Sequence, residues 1–273
     1  MLETSNRKGV YGCHSFPFLD TLADNSNSDS SNNKDFTLFN FRDHKISLTP
    51  EGESIKSGNH LFRYKRYLNN EVVVDKLLTS SSPSVNVCIF PAVPLYSTPD
   101  LSRHLYLKFK SPFVVDPHQK LDFYAKMPIE IGIFKESHKK GILLIDCISL
   151  CKQQYILYGT PEHGAICRYK ETEVYTAESE TAMFEEALIG MHMHNDTDKI
   201  IQINMLVIPL NDVMLEHRND NAYLSGKTEI KVGSSFGKDI ANVQLINAKT
   251  RDSQLSQTPS KEVTQEFLMD SGF

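Results

Sequence analysis

Polar and apolar positions alternate with period two through most of the middle of the chain. In His104–Lys110, Leu105, Leu107 and Phe109 fall on one face and His104, Tyr106, Lys108 and Lys110 on the other. That pattern predicts a half-buried strand. Val85, Val87 and Ile89 alternate with Asn86, Cys88 and Phe90 in the same way, and Ile129-Glu130-Ile131-Gly132-Ile133 repeats it just after Pro128. Gly141–Leu150 is more continuously apolar, interrupted by Asp146, and reads as a central strand. Leu107, Ile131, Leu144, Ile189, Met191, Ile203 and Met205 are the expected core.

Three strand pairs follow from the punctuation between such segments. Gln154–Tyr158 and Ala165–Tyr169 flank a loop rich in Gly and Pro, residues 159–164, which predicts a hairpin. Ala187–His194 turns through Asn195-Asp196-Thr197-Asp198 and returns as Ile200–Ile208, with Ile201, Ile203, Met205 and Val207 on one face. Ala222–Leu224 and Thr228–Val232 are expected to pair across Ser225-Gly226. A short helix over Ala177–Leu188 is the one helical expectation, since Ala and Glu are good formers. Many short strands with turns between them predict an all-β, mainly antiparallel β-sandwich. Phe90–Leu95 and Val207–Leu210 each end a strand at proline, which leaves two related β modules open as an alternative to one.

The ends are different. Residues 23–35, ADNSNSDSSNNKD, hold no apolar side chain larger than Ala, and the stretch after Lys249 is similarly polar. Such segments bury too little surface to offset their ordering entropy. The expected organisation is a mostly flexible segment 1–35, a β portion 36–110, a β-sandwich 111–250 and a flexible tail 251–273. Residues 1–35 carry three basic and five acidic groups and residues 251–273 two and four, so the net charge of −5 sits mostly in the ends. A nearly neutral body argues against a general nucleic-acid binder. No run of about 18 apolar residues predicts a membrane helix, and the first twenty residues lack a secretory apolar stretch. Five cysteines, an odd count, fit a reducing cytoplasm better than a disulfide framework.

The order of several segments resembles a known family. Ser111-Pro112-Phe113-Val114-Val115-Asp116-Pro117, Pro128-Ile129-Glu130-Ile131-Gly132 and Tyr155-Ile156-Leu157-Tyr158-Gly159 come first. Ile166-Cys167-Arg168-Tyr169 and Asn195-Asp196-Thr197-Asp198 with Val207-Ile208-Pro209 follow. Over residues 85–210 this resembles a domain-of-unknown-function family found chiefly in archaea. The resemblance implies an uncharacterised protein and brings no catalytic residue.

Four constellations bear on chemistry. His192 and His194, alternate residues on one strand face, can both reach one metal ion, and with Asp198 they partly resemble the His-x-His and acid set of cupin-type metal sites. A solvated polar face shared with Gln202 and Asn204 explains the same residues. Cys147 and Cys151 would lie ~13 Å apart on a strand, too far for a disulfide; Cys13, Cys88 and Cys167 have no CxxC partner. The loop between Tyr158 and Arg168 gathers Tyr158, His163 and Arg168 as candidate ligand-binding residues, Arg168 offering a planar cationic fork to a carboxylate or phosphate. Leu61–Tyr67 interleaves aromatic and basic residues, as single-strand nucleic-acid platforms do and as a charge-protected edge strand does. Walker, GxGxxG, HExxH and GxSxG motifs are absent.

The leading expectation is a cytoplasmic, non-catalytic β-sandwich protein that binds a partner protein or a small, anionic ligand and takes no cofactor. One alternative is a cupin-like metal-dependent enzyme using His192 and His194, with His163 or Asp198. Another is a soluble accessory protein of a membrane complex, its acidic ends serving as contacts.

Overall fold

A computed structural model of the chain describes residues 10–18, 35–51, 59–97, 102–137, 141–211, 213–235 and 238–246. Among these it contains eighteen strands and no helix. In chain order they are β1 (Gly12–Pro17), β2 (Phe36–Phe41), β3 (His44–Glu51), β4 (His60–Leu68), β5 (Glu71–Ser80) and β6 (Ser84–Ala92). Then come β7 (His104–Val115), β8 (Lys120–Pro128), β9 (Glu130–Ser137), β10 (Gly141–Ile148), β11 (Tyr155–Tyr158) and β12 (Ala165–Thr172). The last six are β13 (Glu186–Asn195), β14 (Ile201–Pro209), β15 (Leu215–Arg218), β16 (Asn221–Leu224), β17 (Lys227–Ser235) and β18 (Lys238–Ile246). The fold is all-β with mostly antiparallel pairing; β12 runs parallel to β7, and β16 and β17 run parallel to β13. The helix expected over Ala177–Leu188 is absent: an irregular stretch and a turn, with Phe184 at φ 62°, lead directly into β13.

The chain divides into two units, residues 1–89 with 134–143 and residues 90–133 with 144–273. In the first, β2, β3, β4 and β5 form an antiparallel sheet in that order around Phe39, Ile46, Leu48, Phe62 and Tyr64. Leu61–Tyr67 is therefore an interior strand rather than an edge. Phe62 and Tyr64 are fully buried, and Arg63 on the other face donates to Asp75 (2.8 and 2.9 Å) and Glu51 (2.6 Å). The edges of this sheet are β2 and β5, and β5 exposes Val72, Val73 and Leu77. Residues 12–17, inside the segment expected to be mostly flexible, form β1. They pair with β6 so that Cys13 lies opposite Cys88, and these two form a disulfide with Cα atoms 3.9 Å apart. This corrects the reading of both as unpartnered thiols: 75 residues separate them in the chain, and only strand pairing joins them. It also weakens the inference of a reducing compartment drawn from cysteine usage. Residues 1–9, 19–34 and 247–273, where most of the expected flexibility falls, lie outside the described residues.

In the second unit two sheets enclose one core. One has the order β11-β12-β7-β14; in the other β13 is flanked by β8 on one edge and by β16 and β17 on the other. Leu105, Leu107 and Phe109 of β7 and Leu206 and Ile208 of β14 meet Phe123, Ala125 and Met127 of β8 and Ala187, Ile189, Met191 and Met193 of β13. Side chains from two inner faces interdigitating this way make a sandwich.

Two expected pairings in this unit are corrected. β13 and β14 form no hairpin: β13 pairs with β8, and β14 with β7. Their apolar stripes do face one core, but from opposite sheets, and the connection crosses between them. Fully buried Asn195 organises the crossing. Its Nδ2 donates to the carbonyls of Val115, Asp116 and Lys199 (3.1, 3.0 and 2.8 Å), and its Oδ1 accepts from Thr197 N–H and Oγ1–H (3.1 and 2.7 Å). β16 and β17 likewise do not pair with each other; they succeed one another along the same edge of β13, in the same direction.

A bulge between Ile203 and Met205 then reverses the faces of β14, so Leu206 and Ile208 are buried while Met205 and Val207 are only half-buried. Of the expected core, Leu107, Ile131, Ile189 and Met191 are buried. Ile203, Met205 and Leu144 are half-buried, since β10 is an edge strand rather than a central one and exposes Leu143. No helix among the described residues is long and apolar enough to cross a membrane.

Candidate functional site

β9 starts with an acidic residue between isoleucines. Ile129, Ile131 and Ile133 are buried, and alternation sends Glu130 to the opposite face, where it is also fully buried. A buried carboxylate requires donors, and the segment after Pro94 supplies them. Tyr96 N–H and Ser97 N–H donate to Glu130 Oε2 at 2.9 and 3.1 Å, and the Cys147 thiol of β10 donates to the same oxygen at 3.3 Å. The Ser97 hydroxyl and Arg168 Nη2 (2.9 Å) donate to Oε1.

Arg168, from β12, is 4% exposed. It also donates to Ser97 Oγ (3.1 Å), which accepts from Gln153 Nε2 at 2.5 Å, and its guanidinium lies over the Tyr155 ring, 5.6 Å from the centroid. Burial, with Cys147 and Glu130 adding to it, pushes the Tyr96 hydroxyl up to about 12. Burial and then Glu130 lift the Cys147 thiol far above the usual range.

Two members of this network, Arg168 and Gln153, line a cavity of about 260 Å³. Ile129, residues 149–154, Arg168, Lys170 and Glu185 line it. Lys170 Nζ is 2.5 Å from Glu186, and the Cys151 thiol donates to the Glu185 carbonyl at 3.3 Å. Burial, with Glu185 second, pushes Cys151 up to about 11; burial alone pushes Cys167 to about 11. All three free thiols are therefore protonated near neutrality. The cavity offers three cations, two glutamine amides and one acid, with two of the cations already paired.

The residues expected from sequence separate. The hairpin forms as expected, with Tyr155 opposite Arg168 and Tyr158 opposite Ala165. Arg168 and Tyr158 consequently point to opposite faces. Arg168 faces inward and lines the cavity. Tyr158 lies on the outer face beside Tyr106 (centroids 6.2 Å apart), which stacks on Tyr169 at 6.0 Å. His163 is exposed in the loop, its N–H donating to Thr160 Oγ1 (3.2 Å). The glycines serve the turn itself: Gly159 has φ +102°, and a Cβ on Gly164 would stand 2.5 Å from the Thr160 carbonyl oxygen.

His192, His194 and Asp198 also part. His192 Nδ1 meets Asp122 at 2.5 Å, and His194 Nδ1 stands 2.9 Å from Asp196. Asp198 goes to His118, at 2.9 Å. Among the described residues no group of three or more His, Cys, Asp or Glu side chains is placed to hold a metal ion. Of the site's members sequence reading found only Arg168; Glu130, Ser97, Gln153 and Lys170 are among those it missed, and for Glu130 a signal existed. The available signal was an acid inside an isoleucine run, which alternation alone assigns to an exposed face.

No curated protein and no solved structure matches the chain. A family model described as a protein of unknown function (DUF432) matches residues 30–270, nearly the whole chain, and the protein belongs to that family.

Proposed function

We propose that this is a non-catalytic binding protein whose cavity beside Arg168 takes a small carboxylate ligand. The observation that carries the reading is Arg168 at the cavity wall, held by its pair with Glu130. Glu130 and Ser97 hold the guanidinium in one position, so a ligand group meeting it encounters a pre-ordered cation. At about 260 Å³ the cavity is just below the range of drug-sized pockets, about 300–1,000 Å³. Because Glu130 and Glu186 already balance Arg168 and Lys170, the local field suits a single negative charge better than a polyphosphate. Protonated thiols at Cys147, Cys151 and Cys167 support a binding role over thiolate catalysis.

The test is a thermal-shift screen of small monocarboxylates against inorganic phosphate, on wild type and on a Glu130→Gln/Arg168→Met variant, each read against its own ligand-free midpoint. A ligand at 100 times its Kd stabilises by about 2.7 kcal/mol. A carboxylate should raise the wild-type midpoint and lose most of that effect in the variant. Equal stabilisation of both proteins, or none by any carboxylate, refutes the proposal.

A further inference from the structure

The outer face of β13, away from the core and in a different sheet from the cavity, carries a second arrangement. His192 and His194 are alternate residues of one strand, with side chains 32% and 25% exposed. Alternate strand positions are ~7 Å apart on one face, a base from which two imidazoles can converge on one ion. Each ring has a carboxylate at the same nitrogen. His192 Nδ1 is bonded to Asp122 Oδ1 (2.5 Å), and His194 Nδ1 stands 2.9 Å from Asp196 Oδ1. A carboxylate can only accept, so in a neutral His192 ring Nδ1 carries the proton and Nε2 carries the lone pair. The charge of Asp196, beside His194 Nδ1, favours a proton on that nitrogen as well. A carboxylate bonded to the far ring nitrogen, as at His192, is the kind of outer-shell partner that orients a metal-binding imidazole.

The charges around the pair balance one another. On β8, Asp122 lies opposite His192 and Lys120 opposite His194; on β17, Glu229 and Lys231 hold the same places. Lys231 Nζ is 3.3 Å from Glu229 Oε2. With Asp196, and with Lys227, whose charge also reaches Asp122, three acids face three lysines, so no net positive charge opposes an arriving cation.

We propose that His192 and His194 ligate one borderline divalent metal ion, Zn²⁺, Cu²⁺ or Ni²⁺, through their Nε2 atoms. Asp122 and Asp196 act as positioning residues, and water or an external ligand fills the remaining positions. Imidazole ligands suit these metals and not Mg²⁺ or Ca²⁺.

The experiment uses the full chain without a histidine tag, stripped with chelator. Zn²⁺ binding is measured by calorimetry and Cu²⁺ coordination by electron paramagnetic resonance. One ion per chain is expected, with two nitrogen ligands. His192→Ala and His194→Ala should each weaken Zn²⁺ binding at least ~10-fold, and Asp122→Ala about 10-fold, the range for loss of an outer-shell partner. All three variants should keep the wild-type unfolding midpoint in chelator, which separates loss of metal from loss of fold. Absence of binding, or binding that survives the double His192→Ala/His194→Ala substitution, overturns the proposal.

Discussion

Replacing Arg168 by Met is the most informative perturbation of the cavity wall. Among the described residues, it removes the one side-chain cation bonded to Glu130, a carboxylate that is 0% exposed. Breaking a buried pair from one side costs about 3–5 kcal/mol, because the remaining charge stays buried without its counter-charge. Glu130 retains two backbone N–H donors, the Ser97 hydroxyl and the Cys147 thiol, which places the loss near the bottom of that range, about 3 kcal/mol. Urea unfolding followed by far-ultraviolet circular dichroism reads this directly. With a slope of about 2 kcal/mol per molar, the midpoint should fall by about 1.5 M. The double variant Glu130→Gln/Arg168→Met removes both charges and should recover most of the loss, as replacement of a whole buried pair often does. A midpoint shift in Arg168→Met below about 0.3 M, smaller than a typical surface substitution allows, would refute the buried-pair argument. So would a double variant less stable than the single one.

Asn195→Ala leaves three carbonyls at the crossing without their shared donor and should cost about 2–3 kcal/mol, measurable by the same unfolding curve; no change would show that water replaces the amide. Thiol titration of denatured, unreduced protein should find three free cysteines and five after reduction; native protein should react slowly at pH 8, since burial holds Cys151 and Cys167 near 11. Asp75 is held below the ordinary carboxylate range by its hydrogen bonds from Arg63. Its folded pKa is depressed, so its contribution is complete above the unfolded value and is lost as pH falls through the folded one. Carboxyl nuclear magnetic resonance should show Asp75 titrating low and returning to the ordinary range in Arg63→Met. Leu107→Ala, at a fully buried position, should cost ~2–5 kcal/mol by chemical unfolding.

Alternation by itself determined that the chain is built of strands, and for most of them which side faces a core. Leu105, Leu107 and Phe109, or Ile189 and Met191, are buried because residues two apart share a face whatever the neighbouring strand is. The hairpin at residues 159–164 was also legible, because a short glycine-rich turn allows only one partner for the strand that precedes it.

The choice of partner elsewhere was decided by the tertiary structure. Every strand offers the same backbone donors and acceptors, so Ala187–His194 reads equally well as one arm of a hairpin or, as it proves to be, one layer of a sandwich. The bulge after Ile203 is a property of pairing with β7, and it alone moves burial from Met205 to Leu206. Burial of Glu130 had the same origin. Its own segment marks it as the polar side of a strand, and only the donors brought from residues 96, 97, 147 and 168, up to 38 positions away, make the interior acceptable to its charge.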